Sequence, residues 1–114
     1  QARAIAAGMD AEIDFRIDVG YPNVYNHEGL NVIAKELAET YMGEEKVEET
    51  ELRMGAEDFG YYSQHIPGCF YRLGTGNIDK GIISGVHTPT FNVDESAIPI
   101  GMGIMAWFGA NAKM

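Results

Sequence analysis

Cysteine is nearly missing from this chain of 114 residues: Cys69 is the only one. No disulfide can form within it, and a reducing, cytoplasmic setting is the expectation. Basic residues are scarce as well. Eight Lys and Arg against seventeen Asp and Glu leave a formal net charge of −9, with no cationic cluster anywhere. That argues against nucleic acid and against anionic membrane surfaces as partners. There is no apolar run long enough to span a bilayer, no signal-peptide pattern, no internal repeat and no low-complexity segment. What is present, 46% hydrophobic and 22% charged residues, is the composition of one ordinary domain. It can bury a core but is small for a complete two-domain enzyme.

Gln1 is not an initiator methionine, and Gln1 to Ala7 reads as the last turns of a helix, with Gly8 as its C-terminal cap. A fragment of something longer is therefore expected. From Ala11 to Val19 apolar and polar residues alternate. Ala11, Ile13, Phe15, Ile17 and Val19 share one face, and Glu12, Asp14, Arg16 and Asp18 the other. This is the period of a strand with one wet face. Pro22 halts it, and a boundary is placed over Gly20 to Asn26. Leu30, Ile33, Ala34, Leu37, Ala38 and Tyr41 then recur at helical spacing, predicting an amphipathic helix from Glu28 or Gly29 to Met42, stopped by Gly43.

Beyond a charge-rich connection from Glu44 to Glu51, Asp58 reads as the N-cap of a short helix carrying Phe59, Tyr61, Tyr62 and Ile66, and Pro67-Gly68 ends it. The Gly55-Ala56 backbone ahead of it is either a tight turn or a source of free N–H groups for an anion. Cys69 to Leu73 reads as a buried strand, with Cys69 in the core rather than reactive. Gly74-Thr75-Gly76 lacks the third glycine and the lysine of phosphate-binding loops and reads as a turn. Ile82 to Val86 is a further short apolar segment. Ser96 to Ala112 is a helix apolar around most of its girth. Helices alternating with short strands favour an α/β layered domain. His87 stands on a loop between the Gly81–Val86 run and Pro89, a setting that suits a metal ligand or a proton carrier.

Three stretches together resemble a known family: Met54-Gly55-Ala56-Glu57-Asp58-Phe59-Gly60-Tyr61-Tyr62, Ile66-Pro67-Gly68-Cys69-Phe70-Tyr71-Arg72-Leu73-Gly74, and His87-Thr88-Pro89-Thr90-Phe91-Asn92-Val93-Asp94-Glu95. In order and spacing they look like the C-terminal part of the M20 metallopeptidases, nearest the amidohydrolases that cleave N-acyl amino acids, hippurate and auxin conjugates. The resemblance implies a zinc-exopeptidase-like α/β catalytic domain over 28–114. Residues 1–19 would end an α+β lid or dimerisation domain, with 20–27 as the crossing linker.

It further implies a pair of divalent metals (zinc, manganese, nickel or cobalt) and a glutamate base assisting a metal-bound water, with His87 as the last metal ligand. Gly55, Ala56 and Glu57 would line the substrate pocket, and Asn26 would be a hinge or a substrate contact. The family's base lies in a paired-glutamate motif, so Glu57 is not assigned that role. The other ligands belong to a His-x-Cys-Gly-His-Asp type motif, which these residues lack. Cys69 does not replace it, and His27 and His65 read as surface or helix residues. The parent protein is expected to hydrolyse N-acyl amino acids or short peptides, as a homodimer. These 114 residues alone are expected to be inactive. The competing reading is a non-catalytic interaction or dimerisation module that keeps the fold.

Overall fold

Two helices of fifteen residues form the centre of the molecule. Alone, each would be marginal in water, because helices of that length rarely recover the cost of nucleation without tertiary packing. The computed structural model describes residues 1–113. Its helices are α1 (Ala2–Ala7), α2 (Glu28–Met42), α3 (Phe59–Ser63) and α4 (Ala97–Asn111), with a 3-10 turn at Glu44–Lys46. The α2 boundaries and its inward face follow the apolar spacing: Leu30, Ile33, Ala34 and Leu37 are half-buried and Ala38 is buried.

α2 packs on α4. Trp107 Nε1 donates to the Leu37 carbonyl at 3.1 Å, and the Tyr41 and Trp107 rings lie 6.2 Å apart. Gly103 makes the approach possible, since a Cβ there would collide with the Tyr41 hydroxyl. Ile104 is the most buried large side chain, at 4% exposure, and is worth roughly 1.5–3 kcal/mol by burial alone. On the flank of α4, Phe108 meets Tyr71 edge-on at 5.4 Å. The far side of the helix is bare: Ile98, Met102 and Met105 are exposed.

Residues 20–27 are held on both sides. Tyr21 packs edge-on against Tyr61 of α3 at 5.5 Å, the Tyr25 amide donates to Ser63 Oγ, and Gln64 donates to the Asn23 carbonyl. Gly60 is buried against Pro22, whose carbonyl would clash with any Cβ at that position. On the other side, the His27 amide donates to the Gly68 carbonyl at 2.9 Å. At the N-terminus, α1 folds back on 11–15 through the Ala11 amide on the Ala6 carbonyl and the Arg3 guanidinium 5.7 Å above the Phe15 ring.

The layered sheet expected from the alternation does not form among the described residues. Their one β pairing is an isolated antiparallel bridge between Asn77 and Ile82. Ala11–Val19 is extended, yet no backbone hydrogen bond is made by residues 12–19, and Ile13, Phe15, Ile17 and Val19 are exposed. Cys69–Leu73 leans on α4 and on Asn26 rather than on a neighbouring strand. The reason is physical: alternation encodes which face is apolar, but a ladder also needs a second extended backbone to take the N–H and C=O groups.

The outcome is an open shape. The radius of gyration is 20.3 Å, where a compact domain of this length has about 13 Å. The accessible surface is 9769 Å², against about 6,200 Å² for a folded monomer of this mass. Gly60→Ala should push α3 off Pro22. An overpacking cost of about 1–3 kcal/mol is expected, measured as a lower thermal midpoint by circular dichroism.

Candidate functional site

The loop that carries His87 is built from its ends inward. Its upstream end is a tight hairpin. Asn77 and Ile82 exchange both backbone hydrogen bonds at 2.8 Å, the Gly81 amide donates to the Ile78 carbonyl, and Gly81 takes φ 70, a conformation for which glycine has no steric penalty. Its downstream end is Asp94. The Asp94 amide donates to the Thr75 carbonyl at 2.8 Å. Its carboxylate accepts from Asn77 Nδ2, from Lys80 Nζ at 2.8 Å and from the Ser96 amide at 3.2 Å, just ahead of α4.

Asp94 is only 7% exposed. A carboxylate so placed is tolerated because its oxygens are taken up by donors, one of them a cation. The Lys80 ammonium first, then Asn77 and the Ser96 amide, hold the Asp94 carboxyl well below the usual carboxylate range, with burial opposing them.

Between these anchors, Ser84 and Thr90 pair through their hydroxyls at 2.8 Å, Thr88 Oγ1 donates to the Gly85 carbonyl at 2.8 Å, and the Phe91 amide donates to the Thr88 carbonyl at 3.1 Å. His87 sits at the tip with φ 64, a left-handed conformation that a non-glycine residue adopts at a cost and only when its surroundings enforce it. Its imidazole is exposed. Among the described residues no hydrogen bond or ion pair engages that side chain.

The other residues singled out by sequence lie elsewhere. Asn26 is spent on structure: its Oδ1 accepts from the Phe70 amide at 2.7 Å and its Nδ2 donates to the Phe70 carbonyl at 3.0 Å. The carboxamide thus imitates a strand neighbour, tying residues 20–27 to 68–70. This arrangement suits a hinge, and a substrate would have to displace these bonds. The Gly55 and Ala56 amides have no backbone partner among the described residues, so they are free donors on an exposed, extended stretch. Glu57 turns inward, its Oε1 accepting from the Phe59 amide at 3.4 Å. It does the capping expected of Asp58, which makes no side-chain cap bond.

Cys69 donates to Asn31 Oδ1, and burial pushes its thiol up from the usual value. That is the opposite of an activated nucleophile, but the side chain is half-buried rather than in the core, which corrects the core expectation. His27 caps α2 through Nδ1. With His65 it borders a shallow cleft of about 200 Å³; a second open cleft of about 420 Å³ lies between α1 and residues 11–14. Neither cleft contains His87, Asn26 or the 55–57 turn.

No cluster of three His, Cys, Asp or Glu side chains able to hold a metal exists among the described residues. One imidazole without such partners does not fit a pair of divalent ions. The sequence reading missed Asn77 and Lys80 as partners of Asp94. The signal was present in Asn77-Ile78-Asp79-Lys80-Gly81, a run of turn formers ending in glycine.

The family profile described as Peptidase family M20/M25/M40 matches residues 3–109. The chain belongs to that family. Among its relatives are a probable hydrolase of Synechocystis, 35% identical over 101 residues that cover 88% of this chain and 25% of the relative, and an IAA-amino acid hydrolase of Arabidopsis thaliana, 31% identical over 87% of this chain and 22% of the relative. An N-acetyldiaminopimelate deacetylase of Exiguobacterium sibiricum is 33% identical over 92% of this chain and 28% of the relative. The chain thus spans about a quarter of the length of the curated relatives it matches. No solved structure matches it. M20 is in general a family of metal-dependent peptidases. Among the described residues, no helix is long and apolar enough to cross a membrane.

The ionised Asp94 carboxylate gives this region an acid limit. A depressed carboxyl stabilises the folded state in full above the unfolded value of about 3.9 and loses that contribution as pH falls towards the folded value. The thermal midpoint should hold down to about pH 4 and then drop on acidification; in Asp94→Asn this drop should be weakened, as read by circular dichroism across pH.

Proposed function

We infer that this chain is the C-terminal part of an amidohydrolase acting on N-acyl amino acids, with His87 as one metal ligand and the 55–57 turn as part of the substrate pocket. The observation that carries the reading is the His87 tip. An exposed imidazole with no internal partner is held in a left-handed conformation by a loop anchored at both ends, inside a segment matched by the M20 family. The names of the relatives, an amino acid conjugate hydrolase and a deacetylase, support amide substrates.

The free Gly55 and Ala56 amides can donate to a substrate carboxylate or a developing oxyanion. His87 offers a neutral imidazole nitrogen to a cation of zinc, manganese, nickel or cobalt type. The remaining donors and the glutamate base must come from outside these residues. The chain alone is inactive on this reading. His87→Ala in the full-length enzyme should lower metal content and amide hydrolysis together, by at least the roughly 10–100-fold typical of losing an outer-shell partner. Wild-type metal content and turnover in that variant would overturn the ligand assignment.

A second reading, an interaction or dimerisation module, rests on residues 12–19, whose backbone is unpaired and whose apolar face is open. Such an edge is a template for pairing with another chain. Light scattering of the 114-residue chain should then show a dimer that Ile17→Lys returns to a monomer. A monomer at all concentrations counts against it.

A further inference from the structure

We propose that Asp94 is a positioning residue for His87, fixing through Asn77, Lys80 and Ser96 the two ends of the loop that presents the imidazole. This inference rests on the reading of His87 as a functional ligand, but it concerns a different residue and a different property.

Three observations carry it. Asp94 joins pieces of chain that are otherwise separate. Its amide binds Thr75, its carboxylate binds the hairpin at Asn77 and Lys80, and the same carboxylate binds Ser96 where α4 begins. The hairpin then delivers the chain at Ile82, and Asp94 receives it again, so residues 83–93 are a closed excursion from one knot. Second, the hydrogen bonds within that excursion run among Ser84, Gly85, Thr88, Thr90 and Phe91, with one more from the Val93 amide to Asn92 Oδ1. They shape the tip but do not tie it to any helix. Third, His87 has no hydrogen-bonded partner of its own among the described residues. The imidazole therefore takes its place from the knot.

The knot is also connected to the best-buried part of the molecule. The Ala97 amide donates to the Asp94 carbonyl at 2.9 Å, and Ala97 is a buried residue of α4. The loop is thereby referred to the α2–α4 pair rather than to the open surface around it. Asn77 contributes twice, since its Oδ1 also accepts from the Lys80 amide at 3.2 Å and so holds the lysine's own backbone in the turn. Exchanging the carboxylate for a carboxamide removes the charge and turns one acceptor into a donor facing Asn77 Nδ2. The knot loses its complementarity while side-chain volume is kept.

The test is backbone relaxation by nuclear magnetic resonance on the whole 114-residue chain, comparing wild type, Asp94→Asn, Lys80→Met and His87→Ala. In the wild type the amide order parameter of His87 should be near the value for a rigid backbone, about 0.85. In Asp94→Asn it should fall below about 0.6 across 84–91, with α2 and α4 unchanged. Lys80→Met should produce a smaller drop in the same residues. His87→Ala should leave the loop's order as in wild type, because the imidazole is carried by the loop and does not hold it. An unchanged His87 order parameter in Asp94→Asn would overturn the proposal. So would a loss of order spread evenly over α2 and α4, or unfolding of both the Asp94 and Lys80 variants, since either outcome marks a general structural role. Failure of the ligand reading would show elsewhere, as normal metal content in the His87→Ala enzyme, and leaves the loop result intact.

Discussion

The seam between α2 and α4 is the contact on which the rest depends. Each helix is too short to be secure alone, and Ala38, Ala97 and Ile104 account for the buried apolar core among the described residues. The seam depends on a close approach at Gly103 and on one directed bond, from the Trp107 indole to the Leu37 carbonyl. That carbonyl lies inside α2, where the helix's own bonding already engages it, so the indole adds a second partner and fixes the rotation of one helix on the other. With so little buried elsewhere, geometry away from the seam is set by hydrogen bonds more than by packing.

Two such polar devices organise what surrounds the seam. Asn26 uses one carboxamide to satisfy both backbone groups of Phe70, and Asp94 uses one carboxylate to collect Asn77, Lys80 and Ser96. Both stand where a sheet would ordinarily supply backbone pairing, and both are local and directional. They fix angles well, and they bury little. The large radius of gyration and the exposed Leu52, Met54 and Ile78 follow from a chain ordered in this way.

Legibility from sequence divided along the same line. The limits of α2 and α4 were readable because a helix satisfies its own backbone and shows its faces in local spacing. α3 was placed correctly at its start and ran shorter than expected, since Gly60 and Pro67 leave little room for a further turn. The strands were not readable as a sheet. Alternation over Ala11–Val19 and the apolar run at Cys69–Leu73 state what each face would tolerate, and pairing depends on a backbone elsewhere. His87 could be recognised as the tip of a constrained loop, but its left-handed backbone could not. The Asp94 knot was half visible: its hairpin had turn chemistry on the surface of the sequence, while its link to Asp94 crosses 14 to 17 residues that no local pattern connects.

A left-handed histidine is informative because it is costly. A non-glycine residue in that region gives up of order 1 kcal/mol or more, and His87 recovers nothing through a bond of its own. The cost is met by the loop's other bonds, so the conformation is imposed on His87 rather than chosen by it. Such an imposed geometry persists only where the surrounding structure over-determines it, as it also does for Asp10, held at φ 51 just beyond α1. The Asn26 carboxamide, turned inward and satisfied at both ends, shows the contrasting case of a polar residue whose task is finished within the fold. The contrast between these two residues is between a side chain left open at a loop tip and one used up in holding the chain together.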